Sequence, residues 1–186
     1  VDGRTYPLEK PFVVIATQNN VGTAGTQFLP YAQMDRFMVR LSVGYPDHDA
    51  QMALLRDRLS ENPLDAVDQV LTREELLAMQ ADVRAVQTGD ALLDYITRLT
   101  MASREHPNVE VGVSPRGALL LCRMAKARAY LLGRAFAVSE DVQAVFEPVC
   151  AHRLIVSAKA RLAGVRAADV VRELLADVPN PDRAAL

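Results

Sequence analysis

The sequence predicts a mainly α-helical protein with a small α/β piece at its start. From residue 47 onward, apolar side chains recur at the spacing of one helix face. Residues 11–17 instead form a short, continuous run rich in apolar and β-branched side chains, which is typical of a strand buried on both faces of a parallel sheet. These two patterns predict part of an α/β sheet followed by a helical bundle.

The α/β features lie in the first 45 residues. The first strand is bounded by Pro11 and by the polar stretch at residues 18–20. A loop rich in glycine and threonine follows, and a short helix is expected over residues 30–37. A second strand is predicted over residues 38–43, where Gly44-Tyr45-Pro46 ends it with turn residues.

Capping residues and apolar faces predict the helices that follow. Thr72 and Glu75 have the spacing of a capping box. Ser114 and Pro115 predict the start of another helix, which Gly133 ends, and Ser139 is expected to cap the next one. Apolar faces mark three more helices: Met52, Leu55 and Leu59; Leu92, Ile96 and Leu99; Val170, Leu174 and Val178.

Composition excludes several classes of protein. The 186 residues carry 21 Lys and Arg against 23 Asp and Glu, a formal net charge of −2, which argues against a strongly basic nucleic-acid binder. No run of 18 apolar residues predicts a membrane span, and no secretory signal is recognisable. Cys122 and Cys150 lie in apolar, helix-like segments, which indicates core thiols in a reducing compartment. We therefore expect a cytoplasmic location.

The usual catalytic motifs are missing from this sequence. None of the three lysines follows a glycine, so there is no phosphate-binding loop of the Gly-Lys-Ser/Thr type. His48, His106 and His152 have no metal-ligand spacing, and two cysteines alone cannot build a zinc site. No metal site is predicted.

Three polar residues are candidates for a functional site. Asn19 follows the first strand, where ligands bind in open α/β sheets, although it could simply cap a turn. Arg36 directly precedes the second strand, and the alternative is a surface arginine or one paired with Asp35. Arg116 lies in the first turn of a helix, where the macrodipole disfavours a cation. It is expected to face an anion outside its helix, or else to be solvated.

The segments that carry these residues resemble the MoxR family of AAA+ ATPases. Residues 11–19 are similar to the family's first-sensor strand, and residues 1–8 to the hairpin before it. Residues 25–37, which read Gly-Thr-Gln-Phe-Leu-Pro-Tyr-Ala-Gln-Met-Asp-Arg-Phe, resemble its arginine-finger stretch. Residues 111–117, Val-Gly-Val-Ser-Pro-Arg-Gly, resemble its second-sensor motif. Further similar segments are residues 133–134, 139–142 and 152–154.

The resemblance implies the C-terminal part of such an ATPase. Residues 1–45 would hold the C-terminal strands of the parallel sheet of the AAA+ core, with the first sensor and the arginine finger. Residues 46–186 would form an all-helical lid, with connecting helices over 46–106 and the second-sensor bundle over 107–178. The opening Val1-Asp2-Gly3 looks like a hairpin cut in the middle, so a longer parent protein is expected.

The resemblance also implies roles and partners. Asn19 would orient the attacking water, Arg36 would reach the nucleotide of a neighbouring subunit, and Arg116 would reach the γ-phosphate of its own subunit. ATP and Mg²⁺ would be bound mainly by upstream residues, so this chain alone should be inactive. The parent would form a homo-oligomeric ring, expected to be a hexamer. It would remodel a client, for example a protein with a von Willebrand factor A domain, with no nucleic acid involved.

Two positions depart from the family pattern, and one alternative function stays open. Asn20 replaces the usual proline after the sensor asparagine, and Tyr31 replaces a glutamate near the subunit interface. These departures bear on the strength of contacts between subunits and on the hydrolysis rate. The alternative is a non-enzymatic helical interaction module derived from an ATPase lid. Retention of Asn19, Arg36 and Arg116 together favours the enzyme.

Overall fold

The computed structural model describes residues 3–18, 29–58 and 62–181, and these are mainly helical, as predicted. Its α-helices are α1 (Tyr31–Met34), α2 (His48–Arg58), α3 (Arg73–Ala85), α4 (Asp90–Glu105), α5 (Pro115–Leu131), α6 (Ser139–Cys150), α7 (Ala158–Leu162) and α8 (Ala167–Asp177). Short 3-10 helices span Pro63–Ala66 and Ala151–Arg153, and the strands are β1 (Val109–Val111) and β2 (Ile155–Val156). Within the described ranges, no helix has both the length and the apolar character needed to cross a bilayer.

The sheet in the described residues is small and was not predicted. Strands β1 and β2 pair antiparallel, with an irregular register between Val109 and Val111. Residues 11–17 and 38–43 carry no regular strand structure, and Ile15 is 89% exposed. Burial of the first strand is therefore a wrong prediction for this chain. A strand needs ladder partners on both sides to bury such a run, and none lies among the described residues.

The residues group into two compact units. The first contains residues 1–14 and 41–79, and the second contains residues 15–40 and 80–186. In the first unit, the predicted capping box is confirmed: the Thr72 amide donates to the Glu75 carboxylate at 2.7 Å, and the Glu75 amide donates to the Thr72 hydroxyl at 3.2 Å. Arg73 then binds the carboxylate of Glu9 at 2.6 Å. The division of the sequence at residue 45 stays a prediction.

The hydrophobic core of the second unit confirms the predicted apolar faces of α4 and α8, because Leu92, Ile96, Leu99, Val170, Leu174 and Val178 are all buried. Its largest fully buried apolar side chains come from α4, α5, α6 and α8 and from the residue two positions before α5; they are Tyr95, Leu99, Val113, Leu121, Val142, Phe146, Val149, Cys150, Val170 and Val171. Burial of this apolar area stabilises the unit by about 25 cal/mol per Å² removed from water. Helix α5 ends as predicted, because Gly133 adopts a φ of 72°, which a residue with a Cβ rarely tolerates.

A buried carboxylate determines where α6 begins. Val138 is the N-cap and Ser139 is the first helical residue, so the cap lies one position earlier than predicted. The fully buried Asp141 accepts the Val138 amide at 3.0 Å and binds Arg134 at 2.6 Å and Arg128 at 2.5 Å. Burial raises the pKa of Asp141, but these hydrogen bonds more than offset that effect and hold the pKa below its usual range.

Candidate functional site

Two of the three candidate residues lie in the described part of the chain. Arg36 and Arg116 both belong to the second unit, and both are exposed. Asn19 lies outside the described residues, so its role as first sensor stays a prediction.

Arg36 projects from the end of a single helical turn. The Pro30 carbonyl accepts the Gln33 amide at 2.9 Å, which begins the turn, and Asp35 ends it with helical dihedral angles. Within the described ranges, the Arg36 side chain has no hydrogen bond or ion pair. The alternative that Arg36 pairs with Asp35 is wrong, because the Asp35 carboxylate binds Arg153 instead.

Arg116 occupies the first turn of α5, which begins as predicted. The Ser114 hydroxyl accepts the Gly117 amide at 3.1 Å, and Pro115 takes the first helical position, where an amide would have no partner. Among the described residues, the Arg116 guanidinium contacts no acceptor. A cation with no partner at the positive end of a helix dipole is available to an anionic group from outside the helix.

A buried arginine holds the segment that carries Arg36. Arg153 is fully buried, and its Nε lies 3.0 Å from Asp35 Oδ1. This contact is an ion pair, but Nε does not make a hydrogen bond there. Its Nη2 donates to the carbonyls of Asp35 at 3.0 Å and Phe37 at 2.5 Å, and its Nη1 donates to the carbonyl of Val149. Burial lowers the pKa of Arg153, and the Asp35 carboxylate opposes that shift.

Tyr31, which departs from the family pattern, also binds this arginine. Its hydroxyl donates to the Arg153 carbonyl at 3.1 Å, so α1 is attached to the 3-10 helix over Ala151–Arg153. Burial raises the pKa of Tyr31, and the nearby Asp35 carboxylate raises it further. The phenol therefore stays a neutral donor at ordinary pH.

Two glycines of the segment over residues 111–117 are required by close packing. A Cβ on Gly112 would lie 2.7 Å from the backbone of Arg104, which cannot move away without displacing α4. A Cβ on Gly117 would lie 2.6 Å from the Val113 side chain and 2.8 Å from Cδ of Arg153. The first turn of α5 therefore leaves room for Arg153 to pass against it.

His152 is a buried neutral neighbour of this arginine. Its Nε2 lies 2.7 Å from Arg153 Nη1 and 3.3 Å from the Phe37 carbonyl. Burial lowers the pKa of His152 to about 4, and the charges of Arg153 and Arg40 contribute to that shift. The imidazole therefore accepts from the guanidinium and is not a ready proton donor near neutral pH.

We expect His152 to make stability fall as the pH is lowered from about 6.5 to about 4. The unfolded chain protonates this histidine near 6.5, whereas the folded chain keeps it neutral down to about 4. In that window the unfolded state binds more protons, so the free energy of unfolding decreases with decreasing pH. Urea titrations at several pH values measure this slope.

Two variants control this measurement. His152→Gln should remove the part of the slope that lies between about pH 6.5 and 4. His48→Gln should leave the slope unchanged, because the His48 side chain is 86% exposed in the folded chain. Equal slopes in the protein and in His152→Gln would contradict the assignment.

The pair of Asp35 and Arg153 was not predicted from the sequence. One signal was available: Arg153 is a charged residue between Cys150 and the apolar run over residues 154–156. A cation inside such a segment usually has a buried carboxylate partner. The identity of that partner, 118 residues earlier in the chain, could not be found by inspection of spacing.

Metal ligands do not cluster in the described part of the chain. No group of three or more His, Cys, Asp or Glu side chains there could hold a metal ion. Arg36 and Arg116 are both exposed, and a guanidinium is a group that can bind an anion such as a phosphate.

Comparison with protein families identifies the two parts of the chain separately. A family model described as the ATPase family associated with various cellular activities (AAA) matches residues 1–39. A family model described as the AAA lid domain matches residues 101–174. Arg36 lies in the first match and Arg116 in the second.

Similar proteins cover almost all of this chain. It is 35% identical to the protein YeaC of Bacillus subtilis over 97% of its length, and 32% identical to chaperone MoxR1 of Mycobacterium tuberculosis, also over 97%. A crystal structure of a protein from Cytophaga hutchinsonii, assigned as an ATPase, superposes with a TM-score of 0.88 at 30% identity and covers 97% of this chain. The chain covers 57%, 50% and 58% of these three proteins, respectively. It thus spans about half the length of the curated relatives that it matches.

Proposed function

Because the chain belongs to the MoxR family of AAA ATPases, we propose that it forms the sensor and lid part of an enzyme that hydrolyses ATP. The parent protein works as an oligomeric ring, expected to be a hexamer, and remodels or assembles partner proteins as a chaperone does. Its partners are other copies of the same chain and a client, for example one with a von Willebrand factor A domain. We place it in the cytoplasm.

The observation that carries this function is a pair of exposed arginines for which the described part of the chain provides no partner. Arg36 and Arg116 have no hydrogen bond or ion pair among the described residues, yet both lie on segments fixed by buried contacts around Arg153. Phosphoryl transfer needs fixed positive charge at the phosphates more than it needs covalent chemistry. A guanidinium supplies that charge together with two donors in one plane.

The proposed roles are those that the resemblance to the MoxR family implies for these residues. Arg116 contacts the γ-phosphate of the ATP in its own subunit, and Arg36 contacts the γ-phosphate in the neighbouring subunit. Asn19 orients the attacking water.

Mg²⁺ neutralises phosphate charge when it is bound, but the described residues offer no cluster that would hold it, so no step here is assigned to the metal. The sequence lacks a phosphate-binding loop, so residues 1–186 alone are expected to be inactive.

The proposed role of Arg116 is tested in the full-length ATPase. Arg116→Ala should weaken the affinity for Mg-ATP roughly 10- to 100-fold, because a hydrogen bond to a charged group contributes about 1.5–3 kcal/mol. Arg116→Lys should recover only part of that loss, because an ammonium group cannot make a bidentate contact. Equilibrium titration with Mg-ATP measures both effects.

A matched control lies on the same helix. Arg123 is also exposed, and it follows Arg116 by two helical turns on the same face, about 10 Å farther along α5. Arg123→Ala removes the same charge but should leave the affinity unchanged. Equal affinities in Arg116→Ala and Arg123→Ala would show that Arg116 is only a surface residue.

A further inference from the structure

The Asp35 carboxylate joins the two segments that carry the candidate arginines. Ser114 Oγ donates to Asp35 at 3.1 Å from Oδ2 and 3.3 Å from Oδ1. Asp35 directly precedes Arg36, whereas Ser114 is the N-cap of the helix that carries Arg116. One hydrogen bond therefore connects the residue before Arg36 with the start of α5.

Arg153 makes this connection stiff on the Asp35 side. Its guanidinium donates to the carbonyls of Asp35 and Phe37, which lie on either side of Arg36, and its Nε pairs with the Asp35 carboxylate. The Asp35 side chain is only 15% exposed, so water competes little for its oxygens. The backbone around Arg36 is therefore held from both sides.

Close packing couples the same arginine to α5. The Arg153 side chain passes so near Gly117 that a Cβ there would meet Cδ at 2.8 Å and Nε at 3.3 Å. Ser114 also caps this turn by accepting the Gly117 amide. A movement of the first turn of α5 therefore changes the Ser114–Asp35 hydrogen bond and the Gly117–Arg153 contact together. A displacement of about 1 Å is enough to lose a hydrogen bond of 3.1 Å.

We propose that Asp35 is a positioning residue that transmits the position of the α5 N-terminus to Arg36 through its hydrogen bond with Ser114. The inference rests on the proposed function, in which Arg116 contacts the ATP of its own subunit and Arg36 contacts that of the neighbour. Binding of Arg116 to ATP holds α5 in the position where Ser114 donates to Asp35, and this fixes Arg36 for hydrolysis in the neighbouring subunit. The two nucleotide sites of adjacent subunits are thereby linked.

Variants of Ser114 in the full-length ATPase separate this role from helix capping. Ser114→Asp keeps an N-cap acceptor for α5, because aspartate caps helices as well as serine does. It cannot donate to Asp35, however, and it places a second negative charge beside that carboxylate. We expect kcat to fall about tenfold or more while KM for Mg-ATP stays unchanged, since small misplacements of a positioned group cost that much. Ser114→Thr keeps a hydroxyl that can both cap α5 and donate to Asp35, so it should have the kcat of the unmodified protein.

Ser157 provides the matched control. It caps α7 by accepting the Ala160 amide at 3.3 Å, as Ser114 caps α5, but it belongs to a helix that does not carry a candidate arginine. Ser157→Ala should leave both kcat and KM unchanged. Circular dichroism melting of each variant confirms that the compared proteins are folded.

The outcomes distinguish this inference from the proposed function. If the unmodified protein does not hydrolyse ATP, the proposed function fails. If hydrolysis is present and depends on Arg36, but Ser114→Asp keeps a normal kcat, the linkage through Asp35 is overturned and the function stands. A rise in KM with kcat unchanged in Ser114→Asp would also overturn it, because Ser114 would then act on the nucleotide of its own subunit.

Discussion

Replacement of Arg153 by methionine is expected to lower the free energy of unfolding of this chain by about 3–5 kcal/mol, the usual cost of removing one partner from a buried ion pair. The Arg153 side chain is fully buried, so no water replaces its contacts. Its removal leaves the Asp35 carboxylate without a cation and takes a donor from the carbonyls of Phe37 and Val149. Methionine has a similar length and is flexible, so the lost polar contacts dominate the effect rather than a cavity. Urea unfolding followed by circular dichroism measures the change.

Arg128 is the matched control for this substitution. It also binds a buried carboxylate, that of Asp141, but its side chain is 36% exposed and Arg134 remains to neutralise the same group. Arg128→Met should therefore cost only about 1 kcal/mol, in the range of an ordinary hydrogen bond. If Arg153→Met costs no more than Arg128→Met, Arg153 does not have the stabilising role described above.

Most of the longer helices could be predicted from the sequence because their signals are local. The Ser114-Pro115 pair fixes the start of α5 through one side-chain acceptor and one missing amide, and Gly133 fixes its end through a positive φ. The capping box of α3 needs only Thr72 and Glu75. Each of these interactions joins residues within one turn, so spacing in the sequence is sufficient to recognise it.

Strands and long-range polar pairs could not be predicted in the same way. The apolar run at residues 11–17 indicates a strand only if neighbouring strands cover it, and Ile15 is exposed here. The pairing of β1 with β2 joins residues more than 40 positions apart, and neither strand exceeds three residues. The ion pair of Asp35 and Arg153 depends on the packing of α1 against the 3-10 helix over Ala151–Arg153, which no local pattern encodes.

The candidate site shows the same division between local and long-range information. The position of Arg116 at a helix N-terminus was predicted because the capping signal beside it is local, and the structure confirms it. The connection of its helix to Asp35 was not predicted, because it depends on how the two segments pack. The glycines at 112 and 117 were visible in the sequence, but the reason for them is the nearby Arg104 backbone and Arg153 side chain.

Removal of Arg36 should nearly abolish ATP hydrolysis by the full-length ATPase while nucleotide binding survives. Arginine fingers in GTPases are worth roughly 10³–10⁵ in turnover, and Arg36→Ala should cost a comparable factor if it acts on a neighbour's γ-phosphate. Arg36→Lys should recover little, because a point charge does not replace the planar fork. Arg40→Ala, which removes another exposed arginine from the same segment, should keep turnover within a few-fold. Steady-state hydrolysis and Mg-ATP titration measure the two quantities.

Mixing of two inactive variants tests whether Arg36 acts between subunits. A variant that lacks the phosphate-binding lysine expected upstream should lose nucleotide binding, whereas Arg36→Ala should lose only hydrolysis. If Arg36 acts on the neighbour's ATP, a mixed ring contains interfaces where an intact Arg36 faces an intact nucleotide site, so the mixture should regain part of the activity. If Arg36 acts within its own subunit, no subunit of the mixture holds both groups. A mixture as inactive as each variant alone, with subunit exchange confirmed by fluorescence transfer between labelled chains, would therefore exclude the role between subunits.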